Sequence, residues 1–259
     1  MSALTSAVSV LKLFSAERAE LSVTEAARLL GMPKSTASRL LKAMLREGLL
    51  ANVGSTSRYR LGHLFFEISR RYRHNSSLMD LTDAALGAIC RETRHAGYIS
   101  ILEGSDVLVL RAILGTETLR VVTPLGSRSP AFATSTGRTL LARLGDDQVR
   151  ALHPEPLVPP SPNAPPTLDE LLVRLDQVRR IGWCEAIDEA IPGVGSVSVC
   201  VSDAANSETV AFCVSFPAHL VSELERRRLA AMLIEAAKGI ALEVDDGFWT
   251  KPESPREAA

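Results

Sequence analysis

The chain has 259 residues, 46% of them hydrophobic and 23% charged, which suits a buried core and two domains better than one. Its net charge of −1 conceals a split: residues 1–75 hold 12 Lys/Arg against 5 Asp/Glu, a net of +7, and residues 76–259 hold 17 against 25, a net of −8. No apolar run approaches the ~20 residues that span a bilayer, and the opening MSALTSAVSVLKLF lacks a basic leader and a cleavage site, so a soluble cytoplasmic protein with no membrane partner is expected.

A basic head on an acidic body suits a polyanionic partner. The head reads as helices. Leu4, Ala7, Val8, Leu11 and Phe14 recur at helical spacing and predict one apolar stripe. Ser22-Val23-Thr24-Glu25 is a capping box, and Ala26, Leu29 and Leu30 give the short helix after it an inner face. Gly31 supplies the stop, and Pro33 suits the first turn of a second helix running to about Glu47. Leu49–Val53, a Gly54-Ser55 turn and Ser57–Leu61 then predict a β-hairpin. His63–His74 reads as a linking helix with Leu64, Phe65 and Ile68 inward, and Leu78–Arg94 as another helix.

Past Gly97 the pattern turns to strands at Tyr98–Leu102, Val107–Ile113 and Leu119–Thr123, followed by helices at Thr134–Leu144 and Asp146–Leu152. Pro154–Pro166 holds seven of the 14 prolines and reads as a surface loop. Leu168–Arg180 is a helix, Val197–Val201 and Val210–Phe216 are strands, and Ser222–Val244 is a long closing helix. Strands and helices mixed in this order predict an α+β domain with an antiparallel sheet. The expected division is a basic N-terminal domain at 1–62, a linker helix at 63–77, a second domain at 78–247 and a disordered tail at 248–259.

The helix at Gly31–Glu47 carries the chemistry. Ala37, Leu40, Leu41, Met44 and Leu45 make its buried stripe. Ser35, Ser38, Arg39, Lys42 and Arg46 fall on the opposite side, with Lys34 and Thr36 at its start. From Lys34 to Arg46 there are four basic residues and no acid. Hydroxyls and cations outside, with leucines locking the helix from inside, are what a helix in the DNA major groove requires. In Arg58-Tyr59-Arg60-Leu61 the strand alternation puts both arginines on one face, where they can meet backbone or minor groove. A basic helical face alone is often only a solvated surface. The succession of helix, tight turn, basic helix and basic hairpin argues for a winged helix-turn-helix.

These residues also resemble a known family. Ser22–Ala27, Gly31-Met32-Pro33-Lys34-Ser35-Thr36, Arg39-Leu40-Leu41, Gly48-Leu49 and Arg58–Gly62 are closely similar to the IclR family of bacterial transcriptional regulators. Downstream, Thr134–Ala142 resembles the segment that opens a helix beside the family's ligand pocket, and Gly182-Trp183, Gly193–Val199 and Ala211–Pro217 stand where its closing strands do. The resemblance covers roughly residues 4–245. It implies a GAF-like C-terminal effector domain binding a small organic molecule, a carboxylate or an aromatic, with Ser135, Thr136, Ser196, Cys213 and Ser215 as effector-site residues. It also implies a double-stranded DNA operator and self-association as dimer or tetramer. Family members often carry an acid about seven positions before the glycine matching Gly193. Here that position is Ala186, with Asp188 and Glu189 close by.

Two other readings of the sequence compete with this one. An enzyme with a regulatory head finds little support: Ser196 is not in a GxSxG turn, the five histidines form no visible constellation, and Pro192-Gly193-Val194-Gly195 lacks the third glycine of a dinucleotide fingerprint. No cofactor is called for. Cys90, Cys184, Cys200 and Cys213 form no CxxC pair and stand near no histidine at zinc spacing, so buried free thiols and no metal are expected. The other alternative keeps the DNA-binding head and makes the second domain an assembly module only. In the ligand-responsive reading, effector binding changes the placement of the heads through the helix at His63–His74.

Overall fold

The computed structural model describes residues 2–15, 18–72, 77–154 and 156–250. The chain divides into two compact units, residues 1–76 and 77–259.

In the N-terminal unit, α1 (Ala3–Leu11), α2 (Val23–Leu29) and α3 (Lys34–Arg46) precede a small sheet of β1 (Leu21–Ser22), β2 (Leu50–Asn52) and β3 (Arg58–Leu61), and α4 (Leu64–Tyr72) follows. The sheet is antiparallel in the order β1-β3-β2, so β3 is its central strand. The capping box is present: Ser22 Oγ accepts from the Glu25 amide at 3.2 Å and Glu25 accepts from the Ser22 amide at 2.8 Å. Gly31 and Gly48, at φ +62° and +76°, end α2 and α3 in the left-handed region that favours glycine. Pro33 is the N-cap of α3 rather than part of its first turn.

The core of this unit joins Val10, Leu21, Ala26, Leu41, Met44, Leu50 and Tyr59. Three expectations of inward facing are corrected. The buried stripe of α1 is centred on Val10, with Ala7, Leu11 and Phe14 partly packed, and Leu4 and Val8 lie on its outer edge, exposed. On α2, Ala26 is buried and Leu30 partly packed, whereas Leu29 is at the surface. On α4, Leu64 and Phe65 are half-buried and Ile68 is exposed.

The C-terminal unit starts with α5 (Ser77–Thr93). Next come β4 (Ala96–Glu103), β5 (Asp106–Ile113), β6 (Arg128–Pro130), α6 (Ser135–Leu141), α7 (Asp146–Leu152) and α8 (Leu168–Ile181), and then β7 (Trp183–Ile187), β8 (Val194–Asp203), β9 (Glu208–Pro217), α9 (Glu223–Val244) and α10 (Gly247–Thr250). Among the described residues, six strands form one antiparallel sheet in the order β6-β5-β4-β9-β8-β7. The long strands β8 and β9 are buried on both faces, and alternation sorts their residues. Val197, Val199, Val201, Phe212, Val214 and Phe216 join the core that includes Leu86 of α5 and Leu229 and Leu233 of α9. Cys200 and Ala211 turn to the other face and join Leu140 and Leu141 of α6 with Leu171 and Leu175 of α8. The sheet therefore has helices on both sides.

Two expectations change here. Leu119–Thr123 is not a strand; the edge strand is Arg128–Pro130. Apolar residues alternate in that stretch, yet no neighbouring strand pairs with it. At the C-terminus the chain stays packed through α10, three residues into the expected tail at 248–259. Arg143 holds Asp246 with two hydrogen bonds of 3.0 and 2.9 Å, its guanidinium lies 4.1 Å over the Phe248 ring, and Trp249 donates to the Cys200 carbonyl at 2.9 Å. Residues 251–259 lie outside the described residues, as does Glu155 of the proline-rich loop; the rest of that loop has no helix or strand.

Candidate nucleic-acid interface and ligand cleft

The outer side of α3 is built as its sequence indicates. Ala37, Leu41 and Met44 are buried beneath it. Lys34, Ser35, Thr36, Arg39, Lys42 and Arg46 are exposed, and Ser38 is half-buried. Arg46 has Glu47 at 3.4 Å, an exposed pair of the kind worth little. Among the described residues, no ion pair occupies Lys34, Arg39, Lys42 or Arg60. Three cations along one helical face are therefore available to phosphates and base edges.

The hairpin arginines part company. Arg60 is exposed on β3. Arg58 is half-buried and faces Glu20 at 2.9 Å and Glu25 at 3.3 Å. It ties the hairpin to the start of α2. The Ser22 hydroxyl and amide, with Arg58 beside them, hold the Glu25 carboxyl below its usual range. Strand alternation correctly assigns both arginines to one face but does not reveal that two acids already occupy one of them.

In the C-terminal unit a cleft opens at the strands of the sheet on the α6 side. Its cavity volume is about 90 Å³, at the centre of about 640 Å³ of space that runs into open solvent. Tyr98 and Ser100 of β4, Val107 and Val109 of β5, and Cys213 and Ser215 of β9 form its floor. Thr134 and Thr136 at the start of α6, Ala186 and Glu189 at the end of β7, and Val194 and Ser196 of β8 make one side; Val121 and Thr123 make another. Four of the five residues expected at an effector site, Thr136, Ser196, Cys213 and Ser215, thus come together. Ser135 does not line the cleft; its hydroxyl lies 2.8 Å from that of Ser196 and orients it from behind. Burial pushes the Cys213 thiol up to about 11, so it is a neutral thiol 3.7 Å from the Ser215 hydroxyl.

Glu189 is the residue whose role sequence reasoning left undefined. It is buried against Arg138 of α6, which binds it through both terminal nitrogens. Arg138 also donates to the Phe132 carbonyl at 3.2 Å, the Glu185 carbonyl at 2.7 Å and Cys184 Sγ at 3.2 Å, so all five of its donors are used. Arg174 of α8 reaches Glu189 at 3.2 Å. The acid and its cations brace three elements around the cleft, and among the described residues no guanidinium lines it. Gly137 completes the fit, because a Cβ there would run into the Ala131 carbonyl. The sequence signal was the Asp188-Glu189 pair beside Ala186. Asp188 itself caps the loop, accepting from the Gly193 amide at 2.5 Å.

Comparison with known proteins agrees with this arrangement. Residues 3–54 match the model of the IclR helix-turn-helix domain, and residues 70–242 match that of the bacterial transcriptional regulator IclR C-terminal domain. The HTH-type transcriptional regulator KdgR of Escherichia coli is 29% identical over 242 residues, covering 91% of this chain and 92% of the relative. The same fold occurs in an IclR transcriptional regulator from Alicyclobacillus acidocaldarius, with a TM-score of 0.81 and 22% identity over 93% of this chain and 97% of that one. It occurs also in an IclR homologue from Microbacterium hydrocarbonoxydans, solved in complex with 4-hydroxybenzoate, with a TM-score of 0.79 and 24% identity over 94% of this chain and 99% of that one. The named relatives are regulators and repressors, not enzymes. Matched across both units, the chain belongs to the IclR family of bacterial transcriptional regulators, with a DNA-binding helix-turn-helix domain and a C-terminal effector domain.

Proposed function

We propose that the solvent face of α3 reads a palindromic operator in the major groove through Ser35, Thr36, Ser38, Arg39 and Lys42. Lys34, Arg46 and Arg60 meet the backbone, and Arg58 acts by holding the hairpin in place. The observation that carries this reading is the row Lys34, Arg39 and Lys42, exposed on a helix whose other face is locked into the core. Residues 1–62 serve as the reading domain, 63–77 as the link and 78–247 as the sensing and assembling domain. The protein acts as a dimer or a tetramer, in the cytoplasm, where its operator lies. No helix among the described residues is long and apolar enough to cross a membrane.

For the effector, the cleft supports a small organic molecule with an apolar body and one or two hydrogen-bonding ends. Valines and alanines line it, and its polar groups are uncharged hydroxyls and a thiol apart from the already paired Glu189. The 4-hydroxybenzoate bound by the Microbacterium hydrocarbonoxydans homologue has this character. A thermal-shift panel of small aliphatic and aromatic carboxylates tests it. A ligand that binds only the native state at 100-fold over its dissociation constant adds about 2.7 kcal/mol of stability. A hit is expected, and Ser215→Ala and Thr136→Val should weaken it. If no compound in the panel moves the melting temperature, the C-terminal unit is an assembly module and the DNA reading stands alone.

A further inference from the structure

The outer wall of the cleft is the chain between β5 and β6. Backbone bonds pin its ends: the Thr116 and Glu117 amides donate to the Arg94 carbonyl at 2.8 and 3.2 Å, and the Gly126 amide donates to the Val109 carbonyl at 2.8 Å. Between those pins one side chain holds it. The Tyr98 hydroxyl donates to the Val121 carbonyl at 2.8 Å and accepts from the Thr123 amide at 2.9 Å. Among the described residues, none but Tyr98 is seen to hydrogen-bond to 119–123. Apolar burial does not anchor the segment either, since Leu119, Val122 and Leu125 are 56%, 63% and 58% exposed. Val121 and Thr123 alternate with them and face the cleft.

We propose that residues 118–125 are a strap closing the cleft and that Tyr98 is its positioning residue, latching the strap over whatever the cleft holds. This rests on the cleft being the effector site. Tyr98 itself is fixed: it is buried on β4 and stands opposite Cys213 of β9 in the sheet register. The strap therefore moves against a rigid post. Opening exchanges the two bonds to the phenol for bonds to water, a net change of the size of one ordinary hydrogen bond, which sets a readily reached open state. A molecule touching Val121 and Thr123 would favour the latched state by differential contact.

The test needs no ligand, because Cys213 lies on the cleft floor and reports access. The full-length protein and its Tyr98→Phe variant are treated with iodoacetamide, and each cysteine is followed by peptide mass spectrometry. The variant is expected to label Cys213 about tenfold faster, with Cys184 and Cys200 unchanged, since those two thiols are buried away from the cleft. An unchanged Cys213 rate, or equal acceleration of all three thiols, overturns the proposal. Should Tyr98→Phe fail to fold, hydrogen exchange on the unaltered protein decides instead. The Thr123 amide must then exchange more slowly than that of Val122, and equal rates overturn the latch. An empty ligand panel beside fast Cys213 labelling removes the effector reading and leaves the strap.

Discussion

Arg138 and Glu189 show best what a sequence conceals. The two lie 51 residues apart in the chain, and neither has a local signature of burial. The pair exists because α6 and the loop after β7 meet over the cleft. Removing one partner leaves the other charged and buried, so Glu189→Ala is expected to destabilise the C-terminal unit by about 3–5 kcal/mol, read by urea denaturation. A loss below ~1 kcal/mol would mean that water readily replaces the carboxylate. His153 gives a pH dependence. It is buried, and its Nδ1 lies 3.3 Å from the Val149 carbonyl. Burial lowers its proton affinity from the usual 6.5, with His95 shifted the same way. Below pH 6.5 the unfolded chain takes up protons that the folded chain refuses, so stability falls as the pH drops through that value. His153→Phe should flatten the slope of stability between roughly pH 7 and 5.5, and an identical slope would assign the effect elsewhere. By contrast, Thr136, Ser196, Cys213 and Ser215 could be placed in advance, because strand alternation and the family's motifs fix which face each takes.

At the scale of elements, legibility followed local physics. The capping box at Ser22 and the glycine ends of α2 and α3 depend on neighbouring residues, and they stand as expected. Ser22→Ala should remove about 1 kcal/mol from the N-terminal unit, and an unchanged melting curve would show that the rest of the box suffices. Leu119–Thr123 went the other way. Its composition suits a strand, but a strand needs a partner, and here one tyrosine takes up only the Val121 carbonyl and the Thr123 amide. The face of α1 was misjudged for the same reason: periodicity finds a stripe, while the neighbour decides where the stripe is centred. On α3 the two faces separate cleanly, and substitutions should separate too. Arg39→Ala is expected to relax base preference at about 1–3 kcal/mol. Arg60→Ala should weaken binding evenly across sequences and lower the salt slope by about 1. Fluorescence anisotropy on matched and mismatched duplexes distinguishes them, and the same even loss from both would remove α3 as the reader.

At the scale of the whole molecule, the charge split between residues 1–75 and 76–259 already separated a polyanion-binding part from the rest. What the chain could not declare is the effector, because a cleft of hydroxyls and valines admits several small molecules of one chemical class. Everything at this scale depends on the protein reading a defined DNA sequence. Selection from a pool of random duplexes by the full-length protein at moderate salt tests it most directly. One inverted repeat should emerge, its half-sites ~34–36 Å apart or a multiple of that, bound with an affinity that falls steeply as salt rises. Recovery of unrelated sequences that bind no better than the starting pool would contradict it.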